Sequence, residues 1–189
     1  MTRLGIFGGS FDPPHSAHVD IATLAMERIP LDVLYFIPSY QAPLKSHPPH
    51  ATARHRLAMI SLLAEMRSDW QVLAYEVEQK RPVTTIETVE HLKHREPQAS
   101  YYLIIGGDQA AKLNQWRQWE KLTELLQIVC FSRETFSPPV PVADKLMMVP
   151  FANPLSSSLV RERIRTGGPT AAILPPAVQS YIRKHRLYQ

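Results

Sequence analysis

His15 and His18 stand three positions apart, directly after the run Gly5-Ile6-Phe7-Gly8-Gly9-Ser10-Phe11-Asp12-Pro13-Pro14. At the first turn of a helix that spacing sets both imidazoles on one side, where they can reach one ligand together. Free N–H groups at such a helix start attract anions, so phosphate chemistry is the natural reading. The helix dipole disfavours an imidazolium there and a bound polyphosphate favours it, so ring charge is expected to follow substrate binding. The run is not the dinucleotide fingerprint G-x-G-x-x-G, because position 7 is Phe7, and it is not a Walker loop, because no Gly-Lys-Ser/Thr follows. Zinc ligation is a competing reading that lacks a cysteine or third histidine at ligand spacing, and two helix-start histidines without a role are the other.

A second anion corner stands far along the chain, in Asn153-Pro154-Leu155-Ser156-Ser157-Ser158-Leu159-Val160-Arg161. Pro154 disfavours helix before it, and the serines are good N-cap residues for a helix from about Ser157 to Thr166. On composition alone this is an ordinary capped helix. Its three hydroxyls, with an arginine one turn in, would also suit phosphate.

Two corners so far apart in sequence need a scaffold that brings them together. Arg3 to Phe7 reads as a strand, Gly8 and Gly9 as a turn permitting close approach, and an apolar-periodic helix follows from about Ser16. Further strands are expected at Val33–Ile37, Val72–Val77, Tyr101–Ile105, Ile128–Phe131 and Lys145–Val149. A helix is expected from Ala53 to Met66, with Leu57, Ile60, Leu63 and Ala64 on one face, and another from Glu120 to Leu126. Thr84 and Glu87 form a capping box opening a helix to about His94. Pro38 to Pro49 reads as an irregular loop, and Phe136 to Pro141 as a mobile one. Alternating strands and helices predict an α/β fold with a doubly wound, mainly parallel sheet, and ligands outside the carboxyl ends of the strands.

Bulk properties fit one domain over residues 1–189, since the length lies in the usual range and 44% hydrophobic content is enough for a core. No apolar run of about 18 residues or signal-peptide pattern is present, which predicts a soluble, cytoplasmic protein with no membrane partner. The only cysteine, Cys130, lies in an apolar run and reads as a buried strand residue. A net charge of +4 suits acidic partners such as nucleotides. The basic stretches Arg161–Arg165 and Arg183–Arg186 alternate with apolar residues as solvated helix faces do, so nucleic acid is not called for.

The glycine-histidine segment resembles the H-x-G-H superfamily of nucleotidylyltransferases, and Gly8 to His15 is close to the form in bacterial nicotinate-nucleotide adenylyltransferases. The resemblance extends to Lys45 in the proline loop, Arg56-Leu57-x-Met59, Gly106-x-Asp108, the motif Leu155 to Arg161 and the ending Tyr181 to Tyr188, which is nearly the whole chain. Two positions depart: Ala17 replaces the family glycine between the histidines, and Leu44 replaces a frequent histidine before the lysine.

The resemblance implies a Rossmann-like nucleotidyltransferase fold that moves AMP from ATP to nicotinate mononucleotide, giving deamido-NAD and pyrophosphate. Such a transfer needs no protein nucleophile; it needs two polyanions held together and donors aimed at the charge that develops. By this resemblance His18 and His15 are the catalytic pair. Gly8, Gly9, Ser10, Phe11, Lys45, Asp108, Ser156, Ser157, Ser158 and Arg161 would bind ATP and its phosphates, with Asp108 on the ribose. Thr84, Thr85 and Trp116 would hold nicotinate mononucleotide, Trp116 by stacking on the pyridine ring. The threonines equally serve the capping box, and Trp116 equally reads as core. Magnesium is expected on the triphosphate oxygens, without a dedicated protein cage. A sister enzyme for nicotinamide mononucleotide or phosphopantetheine, a nucleotide-binding module without catalysis, and a nucleic-acid binder are the alternatives. Oligomeric state is not encoded legibly.

Overall fold

The computed structural model describes residues 1–45, 47–132 and 146–189. Six parallel strands form one sheet in the order β3-β2-β1-β4-β5-β6: β1 (Arg3–Gly9), β2 (Val33–Pro38), β3 (Trp70–Val72), β4 (Ser100–Gly106), β5 (Gln127–Ser132) and β6 (Leu146–Pro150). This is the doubly wound order expected of a Rossmann-like fold, with its switch point between β1 and β4. The expected loop Phe136–Pro141 and the first residue of the expected sixth strand, Lys145, lie outside the described residues.

Both sheet faces are covered, and the strands alternate accordingly. Phe7, Leu34, Phe36, Ile104, Val129 and Phe131 point into one core. Leu4, Ile6, Ile37, Leu103, Ile105 and Cys130 point into the other. Burial on both faces is why these strands read as near-continuous apolar runs. The first core is closed by α1 (Ser16–Arg28), α2 (Ala53–Ala64), α7 (Ser157–Arg165) and α8 (Pro176–Lys184). The second is closed by α4 (Thr85–Arg95) and α6 (Trp119–Leu125), with the short helices α3 (Tyr75–Glu78) and α5 (Gly107–Ala110) at the carboxyl ends of β3 and β4.

Three expectations are corrected here. The run Val72–Val77 is not a strand: β3 ends at Val72 and the chain winds into α3. This edge strand matches only Leu34 to Phe36 of β2, and its last bond to that strand runs from the Leu73 N–H to the Phe36 carbonyl at 3.0 Å. Gly8 and Gly9 are the end of β1, paired with Ile37 and Pro38, rather than the turn. The left-handed residue there is Phe11, at φ 47°. Finally, α2 stops at Ala64, leaving Met66 exposed.

Candidate functional site

The carboxyl end of β1 leads through Ser10–Pro14 to His15, which is the N-cap of α1. Phe11 turns its ring inward, 1% exposed, edge-on to Phe7 at 5.7 Å and beneath His18 at 5.0 Å. Gly9 makes room for it, since a Cβ there would meet the Phe11 ring at 3.1 Å. Gly8 has open space where a Cβ would stand, so its contribution is close access to the backbone.

The imidazoles of His15 and His18 lie with centroids 3.8 Å apart and planes tilted by 36°. The His15 backbone N–H donates to His18 Nδ1 at 3.1 Å. Because Nδ1 is the acceptor, a neutral His18 carries its proton on Nε2. Burial lowers the His15 pKa to about 4. Burial, then the neighbouring His15, holds His18 well below its ordinary value. Both rings are therefore neutral at pH 7 in the free protein, through burial more than through the helix dipole. His15 is 4% exposed and its Nδ1 has no hydrogen-bond partner among the described residues. Ala17 between them is 3% exposed, so its extra methyl lies mostly in protein.

The second corner docks directly on the first. Ser157 Oγ donates to the Pro13 carbonyl at 3.0 Å, and Arg161 Nη1 donates to the Asp12 carbonyl at 2.8 Å. Ser156 caps α7 by accepting from the Leu159 N–H, while Ser158 Oγ accepts from Arg161 Nη2 at 3.1 Å. Lys45 joins from the proline loop, with Nζ donating to Ser10 Oγ at 3.1 Å.

Two buried side chains hold this assembly. Asp12 accepts from the backbone N–H groups of His50 and Ala51, at 2.7 and 3.0 Å, and from the Tyr188 hydroxyl at 2.8 Å. Arg56, 1% exposed, donates to the carbonyls of Ser10, Ser39, Tyr40 and Ala51 at 2.6 to 3.2 Å. A buried charge is tolerable when its donors are satisfied in this way. Sequence reasoning assigned neither residue to the site. A signal for Arg56 was present, because it falls in register with Ile60 and Leu63 on the buried stripe of α2.

Two cavities open at the carboxyl ends of the strands. One, of about 810 Å³, is lined by His15, His18, Phe11, Ser156, Ser157, Ser158 and Arg161. The other, of about 360 Å³, is lined by Thr84, Thr85 and Trp116 over an apolar floor that includes Ile6, Leu103 and Ile105. Gly8, Gly9, Ser10, Lys45 and Asp108 line both, so the cavities meet at the end of β1. Every site residue expected from sequence thus borders one space or the other.

On the smaller side, the capping box and the cavity wall are the same residues. Glu87 Oε1 accepts from the Thr84 N–H at 3.0 Å and from its hydroxyl at 2.8 Å. Arg81 on the other carboxylate oxygen, followed by the Thr84 contacts, holds Glu87 down at about 2. Trp116 is half-buried, packing against the core of its sheet face and lining the cavity at once. The capping and core readings hold, and Thr84, Thr85 and Trp116 also line the cavity. Among the described residues no helix is long and apolar enough to cross a membrane, and no three His, Cys, Asp or Glu side chains cluster to hold a metal.

A switch-point site with paired histidines on the first turn of α1 and a serine-arginine corner folded back onto it suits nucleotidyl transfer. The Cytidylyltransferase-like family model matches residues 6–163. The nicotinate-nucleotide adenylyltransferase of Bacillus subtilis is 31% identical over 189 residues, covering all of both chains. Among solved structures, Plasmodium falciparum nicotinic acid mononucleotide adenylyltransferase complexed with NaAD superposes with a TM-score of 0.79 at 20% identity, over 100% of this chain and 98% of that one. The same protein complexed with APC gives 0.78 at 20% identity and the same coverage. The chain belongs to the nicotinate-nucleotide adenylyltransferase family within the cytidylyltransferase-like proteins.

Proposed function

We propose that the protein transfers AMP from ATP to nicotinate mononucleotide, forming deamido-NAD and pyrophosphate, a step of NAD biosynthesis. The observation that carries this is the junction of two cavities at Gly8, Gly9, Ser10, Lys45 and Asp108, one bearing the histidines and the other the threonines and tryptophan. ATP takes the larger space and the mononucleotide the smaller, so their phosphates meet at the end of β1.

The 5′-phosphate oxygen of the mononucleotide attacks the α-phosphorus, and the bond to the bridging oxygen of pyrophosphate breaks in line. The nucleophile is already ionised, so no general base is used. His18 donates from Nε2 to the α-phosphate as charge grows there, and His15 faces the triphosphate beside it. A bound polyanion raises both ring pKa values, so either imidazole can gain a proton on ATP binding. Lys45 and Arg161 neutralise the β- and γ-phosphates, Ser10 and the Gly9 backbone hold the α-phosphate or the incoming one, and Ser156 to Ser158 line the triphosphate. Asp108 takes the ribose hydroxyls.

Nucleotidyl transfer typically employs a divalent metal, and we assign magnesium. The ion would come with the triphosphate, beside Lys45 and Arg161, rather than in a dedicated protein cage. It supplies charge neutralisation on the leaving group. Trp116 stacks on the pyridine ring, and the start of α4 at Thr84 and Thr85 holds its carboxylate.

Pyrophosphate release with ATP and magnesium tests the reading, with nicotinate mononucleotide, nicotinamide mononucleotide and phosphopantetheine compared as acceptors. Release is expected to be fastest with the nicotinate substrate. No release with it would overturn the assignment, and faster release with phosphopantetheine would move the protein to a sister activity.

A further inference from the structure

One carboxyl group in the smaller cavity has no task in this scheme. Glu76, on α3, lines the space shared by Thr84, Thr85 and Trp116. Its Oε1 accepts a hydrogen bond from the Thr88 hydroxyl at 2.7 Å, and Oε2 takes none among the described residues. No ion pair involves Glu76 there either, although Lys45, Asp108, Lys112 and Arg117 border the same cavity. Ile37, Val83 and Leu103 are among the apolar residues that share its lining. From α4, Glu87 faces it with like charge but is itself neutralised by Arg81. His91, also on α4, stacks on Tyr75 of α3 at 4.1 Å. Burial pushes the Glu76 carboxyl up to about 7, with Thr88 opposing that rise and Glu87 adding to it.

We propose that Glu76 reads the substituent on the pyridine ring, donating a hydrogen bond from its protonated carboxyl to a carboxylate and, once ionised, accepting one from a carboxamide. The proposal rests on the assignment of the smaller cavity to the mononucleotide. A carboxylate brought into this apolar space beside an ionised Glu76 would meet like charge with little screening. Protonated, the same side chain presents an O–H to the carboxylate. Acid-over-amide selectivity is then a function of one proton on the enzyme.

The two mononucleotides share the same phosphate and ribose, so titration of those groups cancels in a ratio of specificity constants. That ratio reports groups of the free enzyme that distinguish the ring substituents. The test measures kcat/KM for nicotinate over nicotinamide mononucleotide from about pH 6 to about pH 8.5, below and above the carboxyl's midpoint. The ratio is expected to be level on the acid side and to fall by up to ~tenfold per pH unit on the alkaline side. In Glu76→Gln, which stays neutral and keeps an N–H donor, the ratio should not change with pH. Thr88→Val removes the hydrogen bond that favours the ionised form, so the midpoint should move to higher pH; this arm holds even if Glu76→Gln fails to fold. A pH-independent ratio in the wild type, or an unchanged slope in Glu76→Gln, overturns the proposal while leaving the adenylyltransferase reading intact. Absence of pyrophosphate release with either mononucleotide overturns both.

Discussion

The larger cavity is tied together by hydrogen bonds that span the whole chain, whereas the side-chain bonds that shape the polar wall of the smaller one are short-range in sequence. Around the histidines, Asp12 reaches His50, Ala51 and Tyr188, Arg56 reaches back to Ser10, and Arg161 crosses 149 positions to the Asp12 carbonyl. Around the proposed ring site, Thr84 bonds Glu87 three residues away, and Thr88 bonds Glu76 twelve away. The difference follows from what each part must do. Developing charge on a transferred group is stabilised only by donors that do not reorganise, so the phosphate corner is clamped from several directions. Recognition of a ring needs an apolar slot and a few polar groups, which one helix start and one short helix can supply.

If that contrast is real, the largest loss should follow from breaking the long-range clamp. Arg56→Ala removes the donor from four carbonyls, those of Ser39 and Ala51 in buried bonds, and is expected to cost about 3–5 kcal/mol, read as a lower denaturation midpoint. A midpoint near the wild-type value would mean that the corner holds itself. His18→Ala should keep the fold and lower kcat by about 10²–10³, because it removes one donor from the transition state. A full rate would remove His18 from the chemistry. Trp116→Ala should raise KM for the mononucleotide by about tenfold, corresponding to roughly 1.4 kcal/mol of stacking, with KM for ATP little changed. Equal effects on both substrates would merge the two cavities functionally. Thr84→Ala, which breaks only the local capping box, should cost about 1 kcal/mol or less. A loss as large as that of Arg56→Ala would erase the contrast.

The histidine corner also predicts a pH dependence. His15 has a folded-state pKa depressed to about 4, so its neutral form is favoured by folding. Its contribution is present above the unfolded value of about 6.5 and is lost as pH falls toward about 4, by at most about 3 kcal/mol. Thermal unfolding across that window should show destabilisation on acidification, reduced in His15→Asn.

Both cavity-lining corners were legible because each is a contiguous run: a strand end, glycines and histidines in one case, proline, serines and arginine in the other. The doubly wound order was legible for a similar reason, since each apolar run is bounded by a loop signal. Less could be read where the deciding contact lies elsewhere in the chain. Nothing local marks Asp12 as the acceptor for Tyr188, and Val72 to Val77 carries β-favouring residues that only the short register against Leu34 to Phe36 limits. Glu76 escaped notice for the same reason. A glutamate in a charged stretch becomes a half-buried, cavity-lining carboxyl only when β3 ends and α3 turns it toward Thr88.

The bond between Tyr188 and Asp12 spans 176 positions. During synthesis the segment bearing the histidines leaves the ribosome early, while the hydroxyl that completes its carboxylate's shell arrives after α8. Contacts of such sequence separation are slow to form, because the intervening chain must first be ordered. The histidine corner is thus made well before it is finished, and a nascent chain halted before α8 would carry both imidazoles without the hydroxyl that completes the Asp12 hydrogen-bond shell.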